Sequence, residues 1–461
     1  MLMRLRLAPF RVMSGLALVA LPLGLSAQAA QPVIAPAPVA TTPAPAPTAP
    51  AAATPAGAPS TLPAVPVPSV PNPNPVMAWS LADAQALAAV IENIDDEGLV
   101  PADYQPAALR AAIAKGEGDA LNAQASKSFT WLTEDLRDGR TPMKARVQWF
   151  AFDKDMDVNP TEAVMKRALE SHDIAGTLAA LSPTYPDYAA LKESLASAPD
   201  AKTRNIIRAN MDRWRWLSRD LGEYYLMTNV PEFQLRLVRK NKIVKTYRTI
   251  VGKPGKTATP QLSELVEGVI FNPTWTVPQS IVVGEGLGRK YGSVAAAKAA
   301  GFAMTKSADG TITMVQQPGP TNSLGLMKLD MPNEHAIFLH DTPSRGLFNQ
   351  AFRALSHGCV RTERATELAI ALAIIGGGKT ADEAAEISAS GKYTKVPMDK
   401  RQMPVYIGYF TYARSIDGQM KAFPDIYQRD LPVLASLAAP RQLKTGQRKS
   451  TEAIIKLDNP L

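Results

Sequence analysis

Apolar positions follow a helical period through the first folded stretch of this chain and a two-residue period after it. Leu87, Val90, Ile91 and Ile94 recur at three- and four-residue spacing. Ser80-Leu81-Ala82-Asp83 opens that run in the manner of a capping box, and Gly98 ends it. The same period predicts helices over 106–115, 120–138, 161–181 and 201–221. The last carries Asn210-Met211-Asp212-Arg213-Trp214-Arg215-Trp216-Leu217, while His172 stands alone in the third and reads as an ordinary surface or core histidine. Beyond about residue 222, Phe233, Leu235 and Leu237 alternate with Gln234 and Arg236, a polar turn spans 239–242, and a second strand covers 244–251. A link with Gly252, Pro254 and Gly255 leads to a strand over 269–278. An Ala-rich helix over 293–300 and a hairpin at Asp309-Gly310 interrupt the alternation. A Gly/Pro loop, 317–325, precedes a strand over 336–339 that places His340 at its end. A strand over 405–412 closes the region, with a turn at Asp417-Gly418 and a partly helical, basic tail from 431.

Length adds that 461 residues suffice for two or three domains. Arg4, Arg6 and Arg11, an apolar stretch over 12–25 and Ala27-Gln28-Ala29 predict a cleaved export signal over 1–29. No later stretch is long and apolar enough for a membrane span, so the protein is expected in the periplasm without a stable span after cleavage. Residues 30–77 are mainly Ala, Pro, Val and Thr, which predicts an extended, disordered tether. The net charge of +8 is modest and spread out, and it gives no support for nucleic-acid binding.

One cysteine, Cys359, excludes an internal disulfide, and a lone thiol in an exported protein draws attention to its reactivity. It lies in residues 335–361 with three of the four histidines, His335, His340 and His357. A thiol beside an imidazole is a candidate nucleophile with its base. Thr362 is expected to cap a helix running through 362–372. That would set Cys359 at a helix N-terminus, where a thiolate is stabilised and free N–H groups bind an oxyanion. His335 and His340, five apart on the predicted strand, are expected to face opposite sides and not to chelate a metal together. No metal-spaced ligand set or phosphate-cradling loop stands out, and no cofactor is expected.

His340, followed at about fifteen residues by Ser356-His357-Gly358-Cys359-Val360-Arg361, resembles the signature of the L,D-transpeptidases with a YkuD-type catalytic domain. The blocks over 210–217, 272–278, 318–328, 339–343 and 425–427 are similar to the large periplasmic subgroup. The resemblance implies an α+β fold: a helical scaffold domain (78–222), then a mainly β, sandwich-like catalytic domain (223–430) with an inserted helical capping segment (278–318), and a tail (431–461). It implies Cys359 as nucleophile, His340 as general base and acid, and the backbone N–H groups of Gly358 and Cys359 as oxyanion donors. Ser356, His357, Arg361, Asn322 and Lys328 are the implied substrate contacts. The implied partners are peptidoglycan stem peptides, cross-linked 3→3 through a cysteinyl thioester. Water or an envelope lipoprotein lysine as acceptor would make the same site an L,D-carboxypeptidase or a wall-tethering transferase, and a non-catalytic wall-binding scaffold is the reading from another class. One departure stands out: residues 185–208 are too few for the peptidoglycan-binding module that large members insert there.

Overall fold

The computed structural model describes residues 74–153, 155–441 and 448–453. The expected signal and almost all of the expected tether lie outside the described residues, as does part of the tail.

The first helix, Leu81–Glu92, starts where its sequence says it should. Ser80 Oγ accepts the Asp83 N–H at 3.1 Å, a cap contributing about 1 kcal/mol. Its Leu87 and Ile91 are buried with Leu109, Phe129, Leu132, Leu136 and Val164 in a helical core. The helix expected over 161–181 is two, Thr161–Ser171 and Ile174–Ala179. His172 takes a positive φ of 52° between them, its ring 3.1 Å from Asp83, and Asp173 caps the second by accepting the Gly176 N–H. A helix that the periodicity did not reveal, Pro186–Ala196, begins on a proline whose missing N–H costs nothing there. The helix expected over 201–221 ends sooner, as Ala201–Arg215, and joins the two halves of the fold. Its Met211 and Trp214 share a core with Tyr188, Tyr225, Met227 and Phe410.

The second half is built on an eleven-stranded sheet. Its order runs Thr394–Pro397, Gly268–Phe271, Met327–Asp330, Leu339–His340, Val360–Thr362, Lys242–Gly252, Gln234–Arg239, Tyr224–Asn229, Met403–Gly408 and Leu262–Val266. Ala354–Ser356 pairs with Lys242–Gly252 off that path. Glu267 alone separates Leu262–Val266 from Gly268–Phe271, yet those strands lie toward opposite ends of the order. The sheet therefore curls around one core that includes Leu226, Leu235, Phe271, Leu329, Leu339, Val360 and Val405. Helix Ala365–Ile375 adds Leu368, Ala369 and Leu372 to it.

Several strands escaped the two-residue period because both their faces are covered: Tyr224–Asn229 is buried from its second residue to its last. The strand expected over 269–278 breaks at Asn272, which has φ 48°. The strand expected over 336–339 shrinks to Leu339–His340, because Ala336 has φ 52°. The interruption over 278–318 is a small body of its own. Helices Gln279–Gly284, Leu287–Tyr291 and Val294–Ala299 pack on strands Trp275–Thr276, Ile312–Gln316 and Phe302–Lys306 around Val277, Val282, Leu287, Ala297 and Met314.

Candidate active site

Strand register assembles the site. Leu339 pairs with Val360 and His340 with Arg361 in parallel, while His340 also faces Lys328 in antiparallel register. Leu339, Val360 and Leu329 are fully buried in the curled core. Alternation then turns Lys328, His340 and Arg361 to the other face; Cys359, just ahead of the strand and partly packed against the core, has its thiol within reach of the Lys328 and Arg361 charges. Four residues that the sequence singled out thus meet at one patch of sheet.

The patch is nearly dry and short of partners. His340 is 6% exposed, and its Nδ1 is buried without a hydrogen-bond partner among the described residues. Burial, with the Arg361 charge adding to it, pushes its pKa down from the ordinary 6.5 to about 3, so the ring is neutral. Burial pushes the Cys359 thiol up to about 11; the Phe338 N–H, Lys328 and Arg361 pull it the other way. The thiol's hydrogen-bond contact is the Ala336 carbonyl at 3.7 Å. Lys328 and Arg361 are both lowered, burial being the main cause, with Cys359 opposing it in each. The Lys328 ammonium sits over the Phe338 ring, 4.4 Å from its centre, and Arg361 Nε has no partner among the described residues. Among the described residues neither cation forms an ion pair. Such a site keeps thiol and imidazole neutral at rest, yet has two cations ready for the sulfur anion that forms when the proton leaves.

The loop before the cysteine is held at several polar atoms. Gly358 has φ 124°, a value that only glycine adopts without strain. Ser356 Oγ accepts the Gly358 N–H at 3.1 Å and donates to the Cys359 carbonyl at 2.6 Å. Thr259 Oγ1 donates to the Gly358 carbonyl at 2.8 Å, and the Val360 N–H donates to Phe338. Ser356 is 2% exposed and is a staple of the loop, not a group presented to substrate. Of the two N–H groups named as oxyanion donors, that of Gly358 is spent on Ser356; that of Cys359 donates to no other residue among those described.

Other expectations are corrected here. Cys359 does not stand at a helix N-terminus. Thr362 pairs with Thr249 in the sheet, and the helix starts at Ala365, with Arg364 at φ 50° ahead of it. Sheet pairing of residues 360–362 overrides their helical pattern, so the cations and local N–H groups, not a helix dipole, face the thiol. Asn322 is fully buried and does not reach the site. Its Nδ2 donates to the Pro273 and Gln317 carbonyls at 3.0 and 2.9 Å, and its Oδ1 accepts the Leu324 N–H. It clasps the neck of the inserted body. His335 is in a loop, not on a strand, so its parity with His340 has no meaning. Its ring lies tilted against Phe150, with centroids 4.1 Å apart, and burial lowers its pKa. Exposed His357 shares a small cleft with His335, Gln148, Lys256, Thr257 and Gly358. Thr259 was missed altogether. Its only signal was a polar residue before Pro260 in the link after a strand.

Comparison with known proteins finds two family matches along the chain. Residues 223–406 match the YkuD family, described as an L,D-transpeptidase catalytic domain, and residues 74–195 match the Scaffold domain family. A putative L,D-transpeptidase of Haemophilus influenzae is 30% identical over 220 residues, 44% of this chain and 44% of that protein. The chain thus aligns with under half the length of that relative. Among solved structures, an L,D-transpeptidase from Mycobacterium smegmatis matches 40% of this chain and 58% of its own, at 13% identity and a TM-score of 0.21. L,D-transpeptidase 1 of Mycobacterium tuberculosis matches 40% and 60%, at 13% identity and a TM-score of 0.18. His340 and Cys359 both fall inside the first matched stretch, and the chain carries a YkuD L,D-transpeptidase catalytic domain behind a Scaffold domain.

Proposed function

We propose that the protein is an exported peptidoglycan L,D-transpeptidase that forms 3→3 cross-links through a thioester on Cys359. The carrying observation is the shared face of His340, Lys328 and Arg361 beside the Cys359 thiol, with a buried, neutral His340 whose Nδ1 has no partner among the described residues. A neutral imidazole is the form that can take a proton, and Nδ1 is the atom free to do so. As Cys359 Sγ attacks the carbonyl of the third stem residue, its proton passes to His340. The Cys359 N–H faces the oxyanion, and Lys328 and Arg361 offset the negative charge on sulfur and substrate. The protonated imidazole then gives its proton to the departing D-alanine amine, leaving a thioester. The side-chain amine of a neighbouring stem attacks that thioester, its proton returns through His340, and the thiol is restored.

The exposed rim suits a long anionic peptide, with His357 and Lys256 at its edge. The inserted body, with a core of its own, would cap the donor stem. The export signal and tether read from residues 1–77 would carry the folded part into the wall space.

Intact-mass measurement after incubation with a carbapenem tests the acylation chemistry. One adduct per chain, absent from Cys359→Ala, supports it, and an unlabelled wild-type protein ends it. Muropeptides incubated with the purified protein then separate the acceptors: 3→3 dimers support cross-linking, tripeptides alone mean water, and a lipoprotein adduct means tethering.

A further inference from the structure

The peptide bond between Gly358 and Cys359 is held from only one side, and the grip is unusually complete. Thr259 is fully buried. Its Oγ1 accepts the Gly252 N–H at 2.8 Å and donates to the Gly358 carbonyl at 2.8 Å. A hydroxyl has one proton. Because Gly252 brings its own, the Thr259 proton is left for an acceptor, and the Gly358 oxygen at 2.8 Å takes it in preference to the more distant Tyr427 hydroxyl. The link is itself fixed: a Cβ on Gly252 would lie 1.8 Å from the Thr257 carbonyl oxygen, so the chain there approaches closer than any other residue allows. Behind it, Tyr427 accepts the Thr259 N–H at 3.3 Å and donates to the Gly252 carbonyl at 2.6 Å. Arg429 Nη2 holds the Thr259 carbonyl at 3.1 Å from beneath the Tyr427 ring.

A peptide unit is planar and trans, so its C=O and N–H point in opposite directions along one plane. Fixing the Gly358 oxygen aims the Cys359 N–H. That N–H is the group between Gly358 and Val360 that no other residue among those described engages. We propose that Thr259 is a positioning residue for the oxyanion donor: its hydroxyl, braced by Gly252 and Tyr427, sets the tilt of the 358–359 peptide. This rests on the acylation reading above. It assigns to Thr259 a contribution to forming the tetrahedral intermediate and none to the reactivity of the sulfur itself.

Two reagents separate those contributions. A carbapenem acylates the thiol through a tetrahedral oxyanion, whereas iodoacetamide alkylates it by displacement and forms none. Thr259→Val keeps the shape and removes the proton. It is expected to slow carbapenem acylation by about ten- to a hundredfold, a part of what losing an oxyanion donor costs, with alkylation within about twofold of wild type. Thr259→Ser restores the hydroxyl and is expected to recover most of the acylation rate. A Thr259→Val protein acylated at the wild-type rate overturns the proposal. So does an equal fall in both reactions, which would mark a merely structural role. Should Thr259→Val not fold, Tyr427→Phe loosens the brace from outside the site. It is expected to show the same split between reagents at a smaller size, and no split would overturn the proposal. A wild-type protein that no carbapenem labels would instead overturn the acylation reading itself.

Discussion

Two buried polar regions of this molecule are wired in opposite ways. Where the helix Ala201–Arg215 meets its neighbours, Asp212 is fully buried and accepts from the N–H groups of Arg140 and Thr141, at 2.5 and 3.0 Å, and from the Trp216 indole at 3.2 Å. Arg213 beside it donates to Asp430 at 2.6 Å and to the Arg429 carbonyl at 2.9 Å. On the sheet face, Lys328 and Arg361 stand near Cys359 and His340 without an ion pair to a carboxylate among the described residues, Asp330 acting on Lys328 only at a distance. Low-dielectric surroundings make both arrangements costly, and only the first recovers the cost within the fold. The junction spends its charges on holding two halves together. On the function proposed above, the sheet face keeps its charges for an anion that exists only while the reaction proceeds. The stapled loop of Ser356, Gly358 and Thr259 lies between these extremes, with the Gly358 N–H and carbonyl and the Cys359 carbonyl all engaged and the Cys359 N–H donating to no other residue among those described.

Removing the nucleophile tests the open side of this contrast most severely. Cys359→Ser should lose carbapenem labelling and muropeptide turnover by about a thousandfold or more, because a hydroxyl is a far poorer nucleophile at this pH. Thermal melting should move by only a few degrees. Turnover near normal would mean that the open patch is not where chemistry occurs.

His340→Gln should come next, with acylation lowered about 10²- to 10⁴-fold by loss of the base. It also carries a stability signature. A histidine held near pKa 3 in the fold and at 6.5 when unfolded adds stability above pH 6.5, which is lost progressively as pH falls toward 3. Between pH 7 and pH 4.5 the wild type should lose about 2–3 kcal/mol relative to His340→Gln in urea unfolding, at roughly 1.4 kcal/mol per unit. Parallel pH curves for the two proteins would show that the ring is not buried neutral.

Breaking the saturated side should spare the chemistry and weaken the fold. Asp212→Ala strands three buried donors and should lower unfolding free energy by about 3–5 kcal/mol. Below its melting temperature, iodoacetamide should label Cys359 at an unchanged rate. A variant that stays as stable as wild type would show that the junction does not need its charges.

How far this contrast could be read in advance depends on how local each feature is. The Ser80 cap, the Asp309-Gly310 hairpin and the pairing of the His340 strand with the strand after Cys359 are written within a few residues or carried by one compact motif. The saturation of Asn322 is not, because its partner at Pro273 lies 49 residues back. The strand Tyr224–Asn229 was hidden by burial on both faces, and the helix start was misplaced because pairing with Lys242–Gly252 claimed Thr362 first. The residues of the site were visible, but which of its atoms were left without partners was not. That is a property of contacts distant in sequence, and it separates Ser356 and Asn322, which hold the structure, from Lys328 and Arg361, which face the thiol.

The smallest effect probes the cations alone. With the thiol near 11, iodoacetamide alkylation should climb about tenfold per pH unit from 7 to 10 and reach no plateau, since the thiolate is the reacting form. Lys328 opposes the burial that raises this pKa, so Lys328→Met should push it higher still and slow alkylation several-fold at any pH in that range. Lys328→Arg keeps the charge and should stay near wild type. Added salt should matter little, because ions screen a buried pair poorly. A plateau already at pH 7 to 8 in the wild type would mean a thiolate formed at rest and paired with an imidazolium. The sheet face would then be as internally paired as the Asp212 junction, and the difference between the two regions would vanish.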